Sequence, residues 1–282
     1  MDWKKWKQPY LTAYIRARNC PYDVRINDIP LHKLDEPVNV LLDMPINPSV
    51  FTGDNLLTVA VTGVEELDPD ARLSVSVCVR EVEADPTERE TVEGIVFATA
   101  DLAREGGTGI ESSPNMDGEH PPTATRVDEQ TIRVDRTIPL KTPFPQWAWM
   151  SAPQIADQDA ARAQLLEEHR KLHAALAAKD VETVTNLTRV KAGEMATAYY
   201  GDEEEGHHLI EFRQRMNDAE MELWPLEEED LTLEVFADRR MARFVSWHGF
   251  GPILYKVKDQ AIASYMNTVY CMDGHGRWMQ IR

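Results

Sequence analysis

The clearest pattern along the chain is the alternation of Leu73, Val75, Val77 and Val79 with Ser74, Ser76, Cys78 and Arg80. A period of two puts the first set on one face of a strand and the second on the other, so one side packs on a core while the other stays at least partly wet. Leu11, Ala13, Ile15 and Ala17 alternate with Thr12, Arg16 and Arg18 in the same way, and Tyr22, Val24 and Ile26 repeat it. Asn27-Asp28 predicts a turn, with Pro30 just beyond it and an apolar run over 38–42. After breaks at Pro45 and Pro48, Gly53-Asp54-Asn55 reads as a tight turn into a strand over 56–61. Two more strands are predicted near 95–99 and 131–140.

Between those last two strands, residues 101–130 carry GGTG, SSPNMDGEH and PP without periodicity, which predicts a long mobile loop. Short strands separated by turn signals predict an antiparallel β-sandwich over 1–150. Within it, YDVRINDIPL followed by INPSVFTGDNLLTVAV resembles galactose-binding-like jelly-roll domains, where a "VNG" strand precedes "GxNxLxVxV". Asn27, Gly53, Asn55, Leu57 and Val59 or Val61 carry the resemblance, and Asp28 stands where that family usually has glycine. The resemblance implies a sandwich of a kind that binds carbohydrate in some members and is structural in others.

Four prolines among aromatic residues over 139–153 mark a junction where Trp147 and Trp149 are expected to pack. Residues 154–179 then read as a helix with Leu165, Leu166, His169, Leu172 and Leu176 on one side. Asp180 caps a second helix, and Gly201-Asp202 closes it and opens a third through Leu209, Phe212 and Met216. Beyond Trp224-Pro225 the period returns to two over 231–237, 241–247, 253–258, 264–272 and 277–282, with turn-like connections. The expected fold is therefore α+β: an N-terminal antiparallel β-sandwich, then an α+β domain over 151–282 with about three helices and a four- to five-stranded antiparallel meander. LHAALAAKDVETVTNLT and DGHGRWMQI resemble elements of NTF2-like and cystatin-like domains. That resemblance implies a curved sheet around a cone-shaped pocket, used there by isomerases, dehydratases and binding modules, although the helix expected between Asp202 and Glu222 departs from the short form of the pattern.

Composition narrows the function classes. With 43% apolar and 28% charged residues over 282 positions, the chain has the balance of a folded protein of about two domains. A net charge of -18, from 48 acidic against 30 basic residues, repels phosphate backbones and anionic headgroups. That argues against nucleic acid and membrane surfaces and points to a basic protein partner. Cys20, Cys78 and Cys271 are odd in number and lack CxxC spacing, which predicts reduced, buried thiols. The absence of a signal-type apolar segment predicts a cytoplasmic location, or a periplasmic one if a leader is cleaved. Oligomeric state is not legible.

Candidate chemistry is sparse. His169 and His173 have the one-turn spacing of metal ligands, but Arg170 stands where HExxH requires glutamate, so ordinary packing is expected and no metal is assigned. Glu203, Glu204 and Glu205, with His207, His208 and Glu211 nearby, read first as carboxylates at a helix start and second as a docking surface for a basic partner. Glu227, Glu228, Glu229 and Asp230 beside Trp224 and Leu226 combine an aromatic anchor with an acidic rim, which suits docking. For a pocket enzyme the available titratable groups are His248, Tyr255, Tyr265 and Asp273. No GxSxG, P-loop or GxGxxG occurs, no nucleophile is nominated and no cofactor is expected. The first expectation is a non-enzymatic acidic protein-binding protein, in its most specific form a bacterial toxin-neutralising, immunity-type protein. A small-ligand binder or pocket enzyme on the C-terminal domain comes second, and carbohydrate binding by the sandwich third.

Overall fold

A computed structural model of the chain describes residues 3–102, 107–110, 120–210, 216, 221–246, 249–257 and 264–282. Its contacts divide into two compact units, Met1–Pro145 and Gln146–Arg282. The fold is mixed α+β, and every sheet is antiparallel.

The first unit contains β1 (Pro9–Arg18), β2 (Tyr22–Ile26), β3 (Ile29–Leu34), β4 (Val40–Pro45), β5 (Gly53–Thr62), β6 (Arg72–Glu81), β7 (Glu90–Ala98), the single turn α1 (Thr99–Leu102), β8 (Thr123–Arg126) and β9 (Thr131–Leu140). They form two sheets of a sandwich, ordered β4-β1-β6-β7 and β3-β2-β5-β9-β8. The alternating rows supply the core: Leu11, Ile15, Val75, Val77, Leu57 and Val59 are all fully buried. Each such aliphatic side chain contributes roughly 1.5–3 kcal/mol relative to remaining exposed.

Asn27 and Asp28 both adopt positive φ, 53° and 63°, the two-residue turn whose twist matches a hairpin. Ile26 and Ile29 face each other across it, so the chain returns at once as β3, a strand the sequence reading did not include. Pro30 is tolerated because β3 is an edge strand, where a missing donor is not needed. Gly53-Asp54-Asn55, expected as a tight turn, instead opens β5, and the short turn at Asn47–Ser49 precedes it. Part of the expected 101–130 loop is also ordered as β8, paired with β9, while 103–106 and 111–119 lie outside the described residues.

The second unit contains α2 (Gln158–Ala177), α3 (Val181–Tyr199), α4 (Glu203–Leu209), β10 (Met221–Leu223), β11 (Thr232–Phe236), β12 (Met241–Val245), β13 (Ile253–Val257), β14 (Ser264–Met266), β15 (Val269–Met272) and β16 (Trp278–Gln280). Asp157, Asp180 and Asp202 cap the three helices, each accepting a hydrogen bond from a first-turn amide. None of the described helices is long and apolar enough to cross a membrane.

The strands pair as β11-β12-β15-β16 and as β10-β13-β14. The segment over 264–272, expected as one strand, thus splits: β14 joins one sheet and β15 the other, with Asn267-Thr268 between them. Two helical side chains hold this crossing. His169 hydrogen-bonds the Thr268 hydroxyl at 2.8 Å, and the Lys191 ammonium donates to the Asn267 carbonyl at 2.7 Å. The helix expected to continue through Phe212 is described only over α4 and at Met216, and the chain is extended again by Met221.

Two cores serve these sheets. Leu172, Leu176, Val184 and Met216 pack under β10-β13-β14 with Ile253, Tyr255 and Met266. Leu165, Leu166, Ala242, Phe244 and Tyr270 pack under the four-stranded sheet. Trp147 and Trp149 are buried, and the Arg282 guanidinium lies over the Trp147 ring. All three cysteines are free and buried, and burial pushes the Cys20 and Cys271 thiols up to about 12.

Candidate functional site

The register of the three-stranded sheet sorts its residues by face. Leu223 opposes Tyr255, and Ile253 opposes Met266; these turn towards the core. The alternate positions, Glu222, Lys256, Leu254 and Tyr265, occupy the other face. Trp224 continues this outer row, its amide donating to the Leu254 carbonyl at 2.9 Å. The result is an aromatic strip: Trp224 is 38% exposed and Tyr265 41%, and Phe250, 44% exposed, stacks on Tyr265 with ring centroids 5.1 Å apart. His173 on α2 hydrogen-bonds the Trp224 carbonyl at 2.7 Å, which ties the strip to the helix beneath.

Immediately after Trp224 the acidic run forms a short 3-10 turn at Glu228–Asp230. Glu227, Glu229 and Asp230 are exposed. Glu228 is different, because Arg170 donates two hydrogen bonds to it, at 2.7 and 2.6 Å, and these hold its carboxyl below the usual range. It belongs to the scaffold of the rim more than to its free charge.

The other acidic candidates lie on a different element. Glu203, Glu204 and Glu205 form the first turn of α4, where the Glu205 carboxylate accepts a hydrogen bond from the Asp202 amide in a capping box. Glu203 and Glu204 are exposed, and His208 lies one turn from Glu204. This helix packs on the second half of α3, so closely that a Cβ on Gly206 would meet the Ala192 carbonyl oxygen. The aromatic strip is carried by the sheet over Val184, in the first turn of α3. The two acidic groups are therefore presented by separate parts of the unit.

The three described pocket candidates, Tyr255, Tyr265 and Asp273, do not assemble. Tyr255 is buried in the core beneath β10-β13-β14, whereas Tyr265 is on the opposite face of that sheet. Asp273 sits in the turn between β15 and β16, where hydrogen bonds from the Arg277 and His275 amides and the Arg277 guanidinium push its carboxyl down to about 2. His248 lies outside the described residues. A cavity of about 150 Å³ does lie against α2, α3, β15 and β16, but none of the three described candidates lines it.

His169 and His173 are one turn apart and both ring systems are engaged elsewhere. His169 is fully buried; its Nδ1–H donates to the Leu165 carbonyl, which can only accept, so Nε2 accepts from Thr268. Burial pushes its pKa down to about 4. His207 is buried beside its exposed neighbour His208, and Glu211 lies outside the described residues. Phe250 was not singled out by the sequence, where its flanking glycines read only as a turn; a large aromatic residue between two glycines was the available signal. The chain matches no protein-family model and no curated protein.

Proposed function

We propose that the chain is a non-enzymatic acidic protein-binding protein that docks a basic protein partner on the outer face of β10-β13-β14. The observation that carries this reading is the exposed aromatic strip of Trp224, Tyr265 and Phe250 beside the acidic turn at Glu227, Glu229 and Asp230. Large aromatics supply rigid apolar anchors at low entropic cost, and a charged rim speeds encounter with an oppositely charged surface. The net charge of -18 favours the same kind of partner over long range. The most specific form of the proposal is a toxin-neutralising, immunity-type protein of a bacterium, acting on a basic effector.

Capture of partners from lysate on the 282-residue chain at low salt, followed by titration of the purified partner, tests it. A basic protein should bind, Trp224→Ser with Tyr265→Ser should weaken it by at least about 2 kcal/mol, and added salt should slow association. Undiminished binding by the double variant would remove this face from the proposal. Failure to retain any basic protein would remove the function.

A further inference from the structure

Gln280 on β16 stands directly opposite Tyr270 on β15. Tyr270 belongs to the core beneath the four-stranded sheet, so the Gln280 side chain is set on the same face, towards the helices. It is 2% exposed, and neither its amide oxygen nor its amide nitrogen has a hydrogen-bond partner among the described residues. Buried amides are normally paired, and leaving both ends unpaired costs stability. Methionine would fill the same space without that cost.

Gln280 borders the cavity of about 150 Å³ that lies against α2, α3, β15 and β16. The rest of the lining has two characters. Leu172, Leu187 and Trp278 supply apolar walls, and the Trp278 ring is fixed by donating from Nε1 to Gln164 at 2.9 Å. Tyr270 and Glu168 supply polar groups. Burial, with the charge of Glu168, pushes the Tyr270 phenol up, so it remains a hydroxyl at neutral pH. The Glu168 carboxylate pairs with Lys171 at 2.8 Å and keeps 23% exposure.

Gln280 offers an acceptor and a donor side by side, and only a ligand with the complementary pair satisfies both. An ammonium has no acceptor for the amide nitrogen. A carboxylate or phosphate has no donor for the amide oxygen and meets the like charge of Glu168. A hydrocarbon leaves both ends orphaned. In volume the cavity is close to an engineered one that holds a single benzene ring.

We propose that this cavity binds a small uncharged heterocyclic amide, a single six-membered ring with an N–H and a C=O on adjacent atoms, of the pyrimidine and pyridone class. The ring lies among Leu172, Leu187 and Trp278, its N–H donates to the Gln280 oxygen, and its C=O accepts from the Gln280 nitrogen. Rotation about the last glutamine torsion, which is broad, turns the amide edge to the ligand. A second N–H on the ring finds Glu168 as its acceptor.

Saturation-transfer NMR and calorimetric titration of the 282-residue chain with uracil and with 2-pyridone test this, with 1,3-dimethyluracil, benzoate and benzylamine as controls. At least one of the two amides should bind at millimolar concentration, and each control should bind at least about tenfold more weakly. Gln280→Met should weaken binding about tenfold, the loss expected for the pair of hydrogen bonds. Without ligand, the same variant should unfold at the urea midpoint of wild type or above it, since an unpaired buried amide is replaced. Val190→Phe, which fills the cavity from α3 and leaves the amide in place, should abolish binding. Binding of neither amide, equal binding of dimethyluracil, or wild-type affinity in Gln280→Met or Val190→Phe would each overturn the assignment. A fall in the urea midpoint of Gln280→Met would equally overturn it, because the amide would then be satisfied within the fold by water alone.

Discussion

His169 accepts a hydrogen bond from the Thr268 hydroxyl at the point where the chain leaves one sheet of the C-terminal unit and enters the other. The imidazole must be neutral to accept it. Burial lowers its pKa from the ordinary 6.5 to about 4, so between those values the unfolded chain binds a proton that the folded one refuses. Stability from this group is complete above pH 6.5 and is lost as the pH falls towards 4, by up to about 3 kcal/mol. Replacing the pair together, His169→Phe with Thr268→Val, should flatten the fall in urea midpoint across that window. An unchanged slope would count against the assignment.

Lys191 holds the same crossing from α3 and gives the opposite end of the pH profile. Burial, with the charge of Arg282, lowers its pKa from 10.5 to about 7. The folded state therefore binds fewer protons than the unfolded between those values, and this contribution makes stability rise with pH across the window, by at most about 1.4 kcal/mol per pH unit. Lys191→Met removes that rise. The stability of the variant minus that of wild type should shrink steadily from pH 7 to pH 10.5 in chemical denaturation. A constant difference would show that the lysine keeps its proton in the folded state.

These two contacts also explain what the sequence concealed. The inward rows at Leu11–Ala17 and Leu73–Val79 were legible because period-two alternation is a local property of a strand. The break at Asn267-Thr268 was not, since its cause lies on helices far away in the chain. Pro30 reads as a breaker wherever the edge of the sheet is unknown. On the functional side, Trp224 and its acidic neighbours stood out by composition, whereas the meeting of Phe250 with Tyr265 depends on how β13 and β14 pair.

Arg136 occupies an inward position of β9, in the row of Ile132, Val134 and Ile138. Its side chain is wholly buried, pairs with Glu93 and donates to the Gly94 carbonyl at 2.5 Å, while Glu93 keeps 21% exposure. Breaking a buried pair leaves an uncompensated charge and costs about 3–5 kcal/mol. The asymmetry of exposure predicts an order. Glu93→Ala, which strands the dry guanidinium, should destabilise more than Arg136→Met, which leaves a carboxylate partly in water, and Arg136→Met with Glu93→Leu should recover much of either loss. Urea denaturation of the four proteins checks it; the reverse order of the single variants would contradict the argument.

Asn55 is 1% exposed, and both ends of its amide are used. Its oxygen accepts from the Phe51 amide at 3.1 Å and from the Asn27 side chain at 2.8 Å; its nitrogen donates to the carbonyls of Phe51, at 2.8 Å, and Gly53, at 3.0 Å. Asn27 in turn accepts from the Leu56 amide at 2.9 Å, so the two asparagines join the β2-β3 turn to the start of β5. Asn55→Asp preserves the shape and removes both donors, setting a carboxylate oxygen against two carbonyls. The expected loss is about 2–4 kcal/mol at neutral pH, from the two donated hydrogen bonds removed and a buried charge. Protonation restores one donor and removes the charge, so the variant should regain stability relative to wild type as the pH falls below the carboxylate range. Thermal unfolding of both proteins at neutral and acid pH measures this, and a loss that does not shrink in acid would show that the amide nitrogen is dispensable.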